Sequence, residues 1–192
     1  PKVCKYIDLP LQHSSDRILK RMRRPGRERD ARELIQKIRE RIPDAAIRTS
    51  MIVGFPGETE EEFEHLCQFV QEMKFDRLGV FTYSKEDGTP ASRLPEQDFL
   101  PEEVKEERAN ILMEIQREVS KEQISRFVGQ VLDVLIERYD GRNDVYIGRS
   151  QYDAPEVDGE VYVSNFPAQI GQIHKVRITH AHEYDLAGEG IA

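Results

Sequence analysis

The stretch Ile47–Glu58, IRTSMIVGFPGE, decides the fold. Ile47, Thr49, Met51 and Val53 fall on alternate positions, the period of a β-strand with one buried face. The run ends in Gly54-Phe55-Pro56-Gly57. Thr59 and Glu62 then have the spacing of a capping box, which predicts a helix over 59–74. Strand, glycine turn and helix make the unit of a parallel α/β sheet, where ligands gather at the C-terminal ends of strands. Gly54 and Gly57 either let backbone approach a small molecule or supply the φ angles of a plain turn, and the spacing leaves both readings open.

Upstream, YIDLPLQ (6–12) reads as a short buried strand. His13-Ser14-Ser15 leads from it into a helix carrying Ile18, Leu19 and Met22, which Pro25-Gly26 stops. A second helix, 28–41, places Ala31, Leu34, Ile35 and Ile38 on one stripe. Downstream, helix 59–74 presents Phe63, Leu66, Cys67, Val70 and Met73, and RLGVFTY (77–83) reads as another strand. The alternation is α/β, with βαβ units and a parallel sheet. Three strands do not cover both faces of such a sheet, so further strands are expected before residue 1. Ser84–Pro101 is rich in turn residues, and Val104, Ile111, Leu112, Ile115 and Val119 mark a long helix over 102–127. After Gly129 the period changes to two. Four short strands, near 131–136, 145–147, 161–163 and 173–178, predict a small antiparallel β-barrel. The expected organisation is an α/β part over 1–98, a connecting helix over 99–127 and a barrel over 128–192.

No apolar run approaches the ~18 residues of a membrane span, and the N-terminus PKVCKYIDLP lacks the pattern of a signal peptide. Cys4 and Cys67 are too few for a disulfide framework or a metal knuckle, and a reducing, cytoplasmic compartment is the expectation. The net charge of −8 is uneven: residues 128–192 hold eleven acidic side chains and five basic ones. Such a module is a poor holder of phosphates and suits a basic partner. Asp153, Glu156 and Asp158, in DAPEVDGE (153–160), are the candidate contacts, since that stretch lacks the spacing of a calcium loop. The run KRMRRPGRERDAR (20–32) is basic instead, and reads either as a surface for RNA phosphates or as a solvated helix face.

Two polar groups stand beside the glycine turn. Gln12 and His13 end the first strand, where side chains can reach a ligand. Arg48 sits in an otherwise apolar strand and, if it points inward, needs a ligand carboxylate or an internal Asp or Glu.

Taken together, YIDLPLQHSSDRILKRMRR (6–24), RTSMIVGFPGETEEEF (48–63) and the loop YSKEDGTPA (83–91) resemble the C-terminal half of a radical S-adenosylmethionine (SAM) domain of the methylthiotransferases. VGQVLDVLIE (128–137), IGRSQYDAPEVDGEVYV (147–163) and HAHEYDLAGE (180–189) resemble the TRAM domain of the same enzymes. Leu9–Ser14 and Asp153–Gly159 are closer to the type that modifies a ribosomal protein (RimO type) than to the tRNA-modifying type (MiaB). The resemblance implies half of a (β/α) partial TIM barrel followed by an OB-like barrel. It implies an enzyme that adds a methylthio group to the β-carbon of an aspartate in small-subunit ribosomal protein twelve, using SAM and two [4Fe-4S] clusters. One cluster cleaves SAM to a 5′-deoxyadenosyl radical; the other takes part in sulfur transfer.

Carried over residue by residue, the resemblance implies Ile52 stacked on adenine and the Gly54–Gly57 turn close to the cofactor. Gln12 would reach the ribose or amino-acid portion, Arg48 the methionine carboxylate, and Phe81 to Tyr83 would give backbone contacts to adenine. Glu58 falls one residue from where a GxIxGxxE pattern would place its Glu and is left out of the candidate set. The CxxxCxxC loop of such enzymes is absent from these 192 residues, so the chain is expected to be an inactive piece of a longer enzyme. The alternatives are a tRNA methylthiotransferase and a non-catalytic module that docks on the ribosome through residues 128–192.

Overall fold

In the computed structural model, which describes residues 2–191, the alternating run becomes strand β2 (Ala46–Val53). Ile47, Thr49, Met51 and Val53 are all buried, while Arg48, Ser50 and Ile52 share the other, half-open face. Strand β1 (Tyr6–Asp8) lies on one side of β2 and β3 (Arg77–Thr82) on the other. The β2–β3 pairing is parallel, from Arg48 opposite Arg77 to Val53 opposite Thr82.

The single strand expected over 6–12 is broken. Pro10 has no N–H to give to a ladder, so β1 stops at Asp8 and the chain rejoins β2 only as a bridge between Gln12 and Met51. The buried Thr49 hydroxyl spans the break: it donates to Leu9 O (2.7 Å) and accepts from Leu11 N (3.3 Å). Gln12 itself is held at φ 75° by Gln12 N to Ser50 O and Ile52 N to Gln12 O, both 2.8 Å.

Helices α1 (Asp16–Arg21), α2 (Glu28–Arg41) and α3 (Glu60–Met73) form where the sequence pattern places them, except that Leu34 of the expected α2 stripe is exposed and Ile35, Ala31 and Ile38 alone meet the core. Ser15 caps α1 by accepting from Ile18 N. Thr59 and Glu62 form the expected capping box, with Glu62 N donating to Thr59 Oγ1 and Thr59 N to Glu62 Oε2. The buried face of α3 is Phe63, Leu66, Phe69 and Val70; Cys67 and Met73 lie at its half-buried edge. Burial raises the Cys67 thiol to about 11, which keeps it protonated and inert. Ile35, Ile47, Met51, Val53, Phe63, Leu66, Phe69, Val70, Phe75 and Leu112 make one core. Each large apolar side chain in it contributes about 1.5–3 kcal/mol.

The chain divides into two compact units, residues 8–116 and residues 1–7 with 117–192. Helix α4 (Glu102–Ser125) has residues in both: Leu112 belongs to the first core and Ile124 to the second. In the second unit, β4 (Val131–Asp140), β5 (Val145–Ser150), β6 (Val161–Ser164), β7 (Ile173–Ala181) and β8 (Leu186–Gly190) close a barrel in the order β4-β5-β6-β8-β7. Its interior is Leu132, Val134, Ile136, Val161, Val163, Val176, Ile178 and Leu186, with Phe127 at one end.

The barrel has a fifth strand that the period-two pattern misses, and one of its pairings, β6 with β8, is parallel rather than antiparallel. The reason is steric. A Cβ on Gly188 would lie 2.4 Å from Arg177 O, and one on Gly190 would lie 2.2 Å from the Phe166 ring. LAGEG closes the barrel because it has no side chains at these points, and so it carries no hydrophobic signature. Gly188→Ala is expected to destabilise the barrel by about 1–3 kcal/mol. The check is urea unfolding: the midpoint should fall with little change in slope.

Candidate functional site

The half-open face of β2 and the C-terminal part of β3 form the floor of a cavity of about 540 Å³ within the first unit. Ser50, Ile52, Phe81 and Thr82 come from the strands, Gln12 from the bridge beside them, and Phe55 and Tyr83 from the segments that follow. The rim is Arg21–Arg24 on one side and Ser84, Glu86 and Thr89–Ala91 on the other. Phe81 is 55% exposed, an aromatic ring left open on a sheet face. Tyr83 packs edge-on against Phe55 at 5.2 Å. Its hydroxyl is shielded from solvent, has no hydrogen-bond partner among the described residues, and its pKa is raised by burial.

The turn after β2 is fixed by Glu58, whose side chain is fully buried. Glu58 Oε2 accepts from Gly54 N (2.9 Å), and Oε1 accepts from Arg108 Nη1 (2.6 Å), on α4. Arg108 also reaches Glu60 at 2.8 Å. His13 Nδ1 accepts the Ser15 amide proton at 2.9 Å, so the imidazole proton belongs on Nε2, which lies 3.4 Å from Glu58 Oε2. Gln12, at the cavity, thus precedes a residue packed against the same carboxylate that ends β2.

A second carboxylate joins the starts of α1 and α3. Glu62 accepts from the Ser15 hydroxyl (2.6 Å), Arg17 Nε (2.9 Å) and Thr59 N. Burial alone would raise its pKa, but the bonds from Arg17, Ser15 and Thr59 win and hold it at about 2.

The candidate residues separate into groups. Gln12, Ile52, Phe81 and Tyr83 line the cavity together. Both backbone groups of Tyr83 are engaged, its N–H with Val53 O and its carbonyl with Lys105 Nζ, and its hydroxyl is shielded, so its offering to a ligand is the ring. Arg48 is paired at 2.8 Å with Asp8, a surface carboxylate on β1, and does not line the cavity. Gly54 and Gly57, at φ 72° and 82°, answer to other neighbours: a Cβ would meet the Lys105 stem at 2.2 Å and the Arg21 guanidinium at 2.4 Å.

In the barrel unit, Asp153 is buried and accepts from Ser150 Oγ at 2.6 Å. Asp158 accepts from Tyr6 Oη (2.6 Å) and Ala154 N (2.9 Å). Of the three acids, only Glu156 is an exposed group, because the other two build the turn that presents it. Sequence reasoning missed Glu58 and Arg108. Glu58 was set aside on a one-residue spacing argument, and Arg108 lies in an otherwise solvated run with no local sign of its partner.

The donor set fits one part of the implied chemistry and not the other. An apolar floor, the open Phe81 ring and the polar side chains of Gln12 and Ser50 suit a small ligand with a flat apolar part and polar substituents. An iron–sulfur cluster does not fit these residues. Cys4 is exposed in one unit and Cys67 is packed on α3 in the other, and among the described residues no group of three or more His, Cys, Asp or Glu converges.

The Glu58–Arg108 pair gives a direct test. Glu58→Ala leaves a buried guanidinium short of its partner and should destabilise the first unit by about 3–5 kcal/mol. The double variant Glu58→Met/Arg108→Met should lose markedly less than the two single losses added, as measured by a denaturation double-mutant cycle.

Comparison with known proteins places both units. Residues 2–70 match the radical SAM superfamily and residues 128–191 the TRAM domain. The protein named ribosomal protein uS12 methylthiotransferase RimO from Desulforamulus reducens is 52% identical over 191 residues, which cover 98% of this chain and 43% of that protein. Its namesake from Geobacter sulfurreducens is 51% identical over 193 residues, covering all of this chain and 43% of that protein. The chain therefore spans less than half the length of these relatives. Among solved structures, the radical SAM enzyme coproporphyrinogen III oxidase (HemN) from Escherichia coli aligns with a TM-score of 0.53 at 20% identity. That alignment covers 60% of this chain and 27% of the oxidase, and bears on the fold alone. The chain joins part of a radical SAM domain to a TRAM domain and is a homologue, at about half identity, of the RimO-type methylthiotransferases.

Proposed function

We propose that residues 8–116 hold SAM, and that the whole protein adds a methylthio group to the β-carbon of an aspartate in ribosomal protein uS12. The observation that carries this reading is the cavity at the C-terminal ends of β2 and β3, with Ile52 and Phe81 open in it beside Gln12. Ile52 packs on the adenine, Gln12 reaches the ribose or amino-acid portion, and Tyr83 offers its ring. Arg48, Gly54 and Gly57 act one step back. Arg48 fixes β1 to β2 through Asp8, and the two glycines let Lys105 and Arg21 close the turn.

When bound beside a reduced cluster, SAM supplies the radical that removes hydrogen from an unactivated carbon. The cysteines for two [4Fe-4S] clusters lie, in this reading, in the part of the protein outside these 192 residues. What this chain does is bind, orient and shield: the aromatic packing of Phe55, Tyr83 and Phe99 covers one side of the cavity against water. The site of action is the cytoplasm, where the free thiols of Cys4 and Cys67 stay reduced. The barrel meets a basic protein through Glu156 and its acidic surroundings. In the 20–32 run most cations are engaged internally, which leaves Lys20, Arg23 and Arg27 to face an anionic partner.

Two measurements test the reading on the full-length enzyme with its clusters rebuilt. Ile52→Asp sets a carboxylate against the adenine and should raise the SAM dissociation constant about 10–100-fold in equilibrium dialysis. Thermal stability should change little, since Ile52 is only half-buried. Separately, wild-type enzyme is incubated with uS12 and with tRNA, and both are analysed by mass spectrometry. The methylthio mass is expected on uS12; its appearance on tRNA alone would overturn the assignment in favour of the tRNA-modifying type.

A further inference from the structure

Three arginines line the cavity, and the structure treats them differently. Arg21 Nη2 is paired with Asp98 at 2.5 Å, and Arg24 Nη2 donates to Pro10 O at 2.7 Å. Arg23 is exposed and has no ion pair or side-chain hydrogen bond among the described residues. Its backbone is left-handed, φ 58°, in the turn after α1. Two backbone hydrogen bonds at the end of the helix hold it so, Arg23 N to Lys20 O (3.1 Å) and Arg24 N to Leu19 O (3.0 Å), and leave the side chain free to point away from the fold. Arg23 also lines the open basin next to the cavity, with Lys20, Arg24 and Arg27. It therefore stands at the mouth, where a macromolecule enters, and not on the floor made by Ser50 and Ile52.

We propose that Arg23 receives the side-chain carboxylate of the aspartate to be modified, and so selects aspartate over asparagine. The inference rests on the function proposed above and adds the residue that reads the substrate. A guanidinium offers a planar fork of donors that matches a carboxylate at two points. The aspartate is ionised at neutral pH, with an ordinary pKa of about 3.9. The carbon to be modified is bonded directly to the carboxyl carbon. A two-point hold on the carboxylate therefore fixes the β-carbon within a bond length of a known place, which is what abstraction of one hydrogen among several requires. Asparagine presents a donor where the fork also donates, and the hold is lost. At an exposed site the contact contributes modestly, on the order of tenfold in substrate affinity.

The test uses the full-length enzyme with rebuilt clusters, and uS12 carrying either the target aspartate or asparagine in its place. The readouts are kcat and KM for methylthio transfer, the Kd of each uS12 form, and the Kd of SAM. Arg23→Gln is expected to raise KM for the aspartate substrate about tenfold, to leave the SAM Kd within about twofold, and to erase the preference for binding the aspartate form. Arg23→Lys should restore part of that preference, through charge without the fork. Arg29→Gln, an exposed arginine on α2 away from the cavity, should behave as wild type.

Three results overturn the inference. One is an unchanged KM and preference in Arg23→Gln. Another is a SAM Kd that rises as much as the substrate KM, which assigns Arg23 to the cofactor. The third is an equal loss of affinity for both uS12 forms that competitor RNA reproduces in the wild type, which assigns it to phosphates. Wild-type enzyme that leaves uS12 unmodified instead overturns the proposed function, and this inference with it.

Discussion

One buried carboxylate sets the geometry on which the cavity depends. Glu58 bonds to the amide of Gly54 at the end of β2, to Arg108 on α4, and lies against His13 from the segment after Gln12. Three separate stretches of chain thus converge on one side chain that water does not reach. A buried ion pair adds little net stability, because the cost of removing two charges from water is of the same order as their attraction. Its effect is to exclude alternatives. With Glu58 in place, any fold of the 54–58 turn that moves Gly54 or Arg108 leaves a charge unmatched in the interior. The glycines then follow as a consequence: the Lys105 stem crosses Gly54 and the Arg21 guanidinium crosses Gly57, so a side chain at either position would push the turn off its anchors.

This explains which parts of the molecule could be read in advance. β2, α2 and α3 announce themselves because their cause is local: alternation, a 3.6-residue stripe, a capping box four residues long. What was hidden is what depends on a distant partner. Arg108 looks like one more charge in a solvated run until Glu58, fifty residues earlier, is placed beside it. β8 looks like a loop because its glycines serve the backbone of β7 and the ring of Phe166 instead of a hydrophobic core. The strand over 6–12 was overdrawn because Thr49, on another element, is what carries the chain across Pro10. Of the cavity residues, Gln12 is legible from its place at the end of a strand and Ile52 only through the family resemblance, while the backbone role that resemblance implies for Tyr83 overlooks that Val53 and Lys105 already hold it.

Charge counts need the same correction. Residues 128–192 are acidic by composition, yet Asp133, Glu137 and Glu160 are paired with Lys175, Arg149 and Arg138, and Asp153 and Asp158 build a turn. A composition argument treats all these carboxylates as one field. At physiological salt, with a screening length of about 8 Å, paired charges contribute little to what a partner feels. What survives pairing is a smaller set of groups, of which Glu156 is the clearest in the barrel. The basic run 20–32 shrinks in the same way, because Arg21, Arg24, Arg29 and Arg32 all have internal acceptors.

Two cavity residues share an unusual backbone conformation. Gln12 and Arg23 both carry a positive φ, and both line the cavity. Neither is Asn, Asp or Gly, the residues that tolerate such a conformation. For Gln12 the fold supplies a sufficient cause, two backbone hydrogen bonds to β2 that pin it in place. Arg23 has a cause of the same kind: its N–H donates to Lys20 O (3.1 Å) and Arg24 N to Leu19 O (3.0 Å), the paired bonds that end α1 on a left-handed residue. What separates the two is the side chain, since the Arg23 guanidinium has no ion pair or hydrogen bond among the described residues. Arg48 is the useful contrast. It too is an arginine on the open side of the sheet, but it lies in regular strand geometry and Asp8 satisfies it. The two arginines differ in what surrounds them, and it is the unsatisfied one that faces the mouth of the cavity.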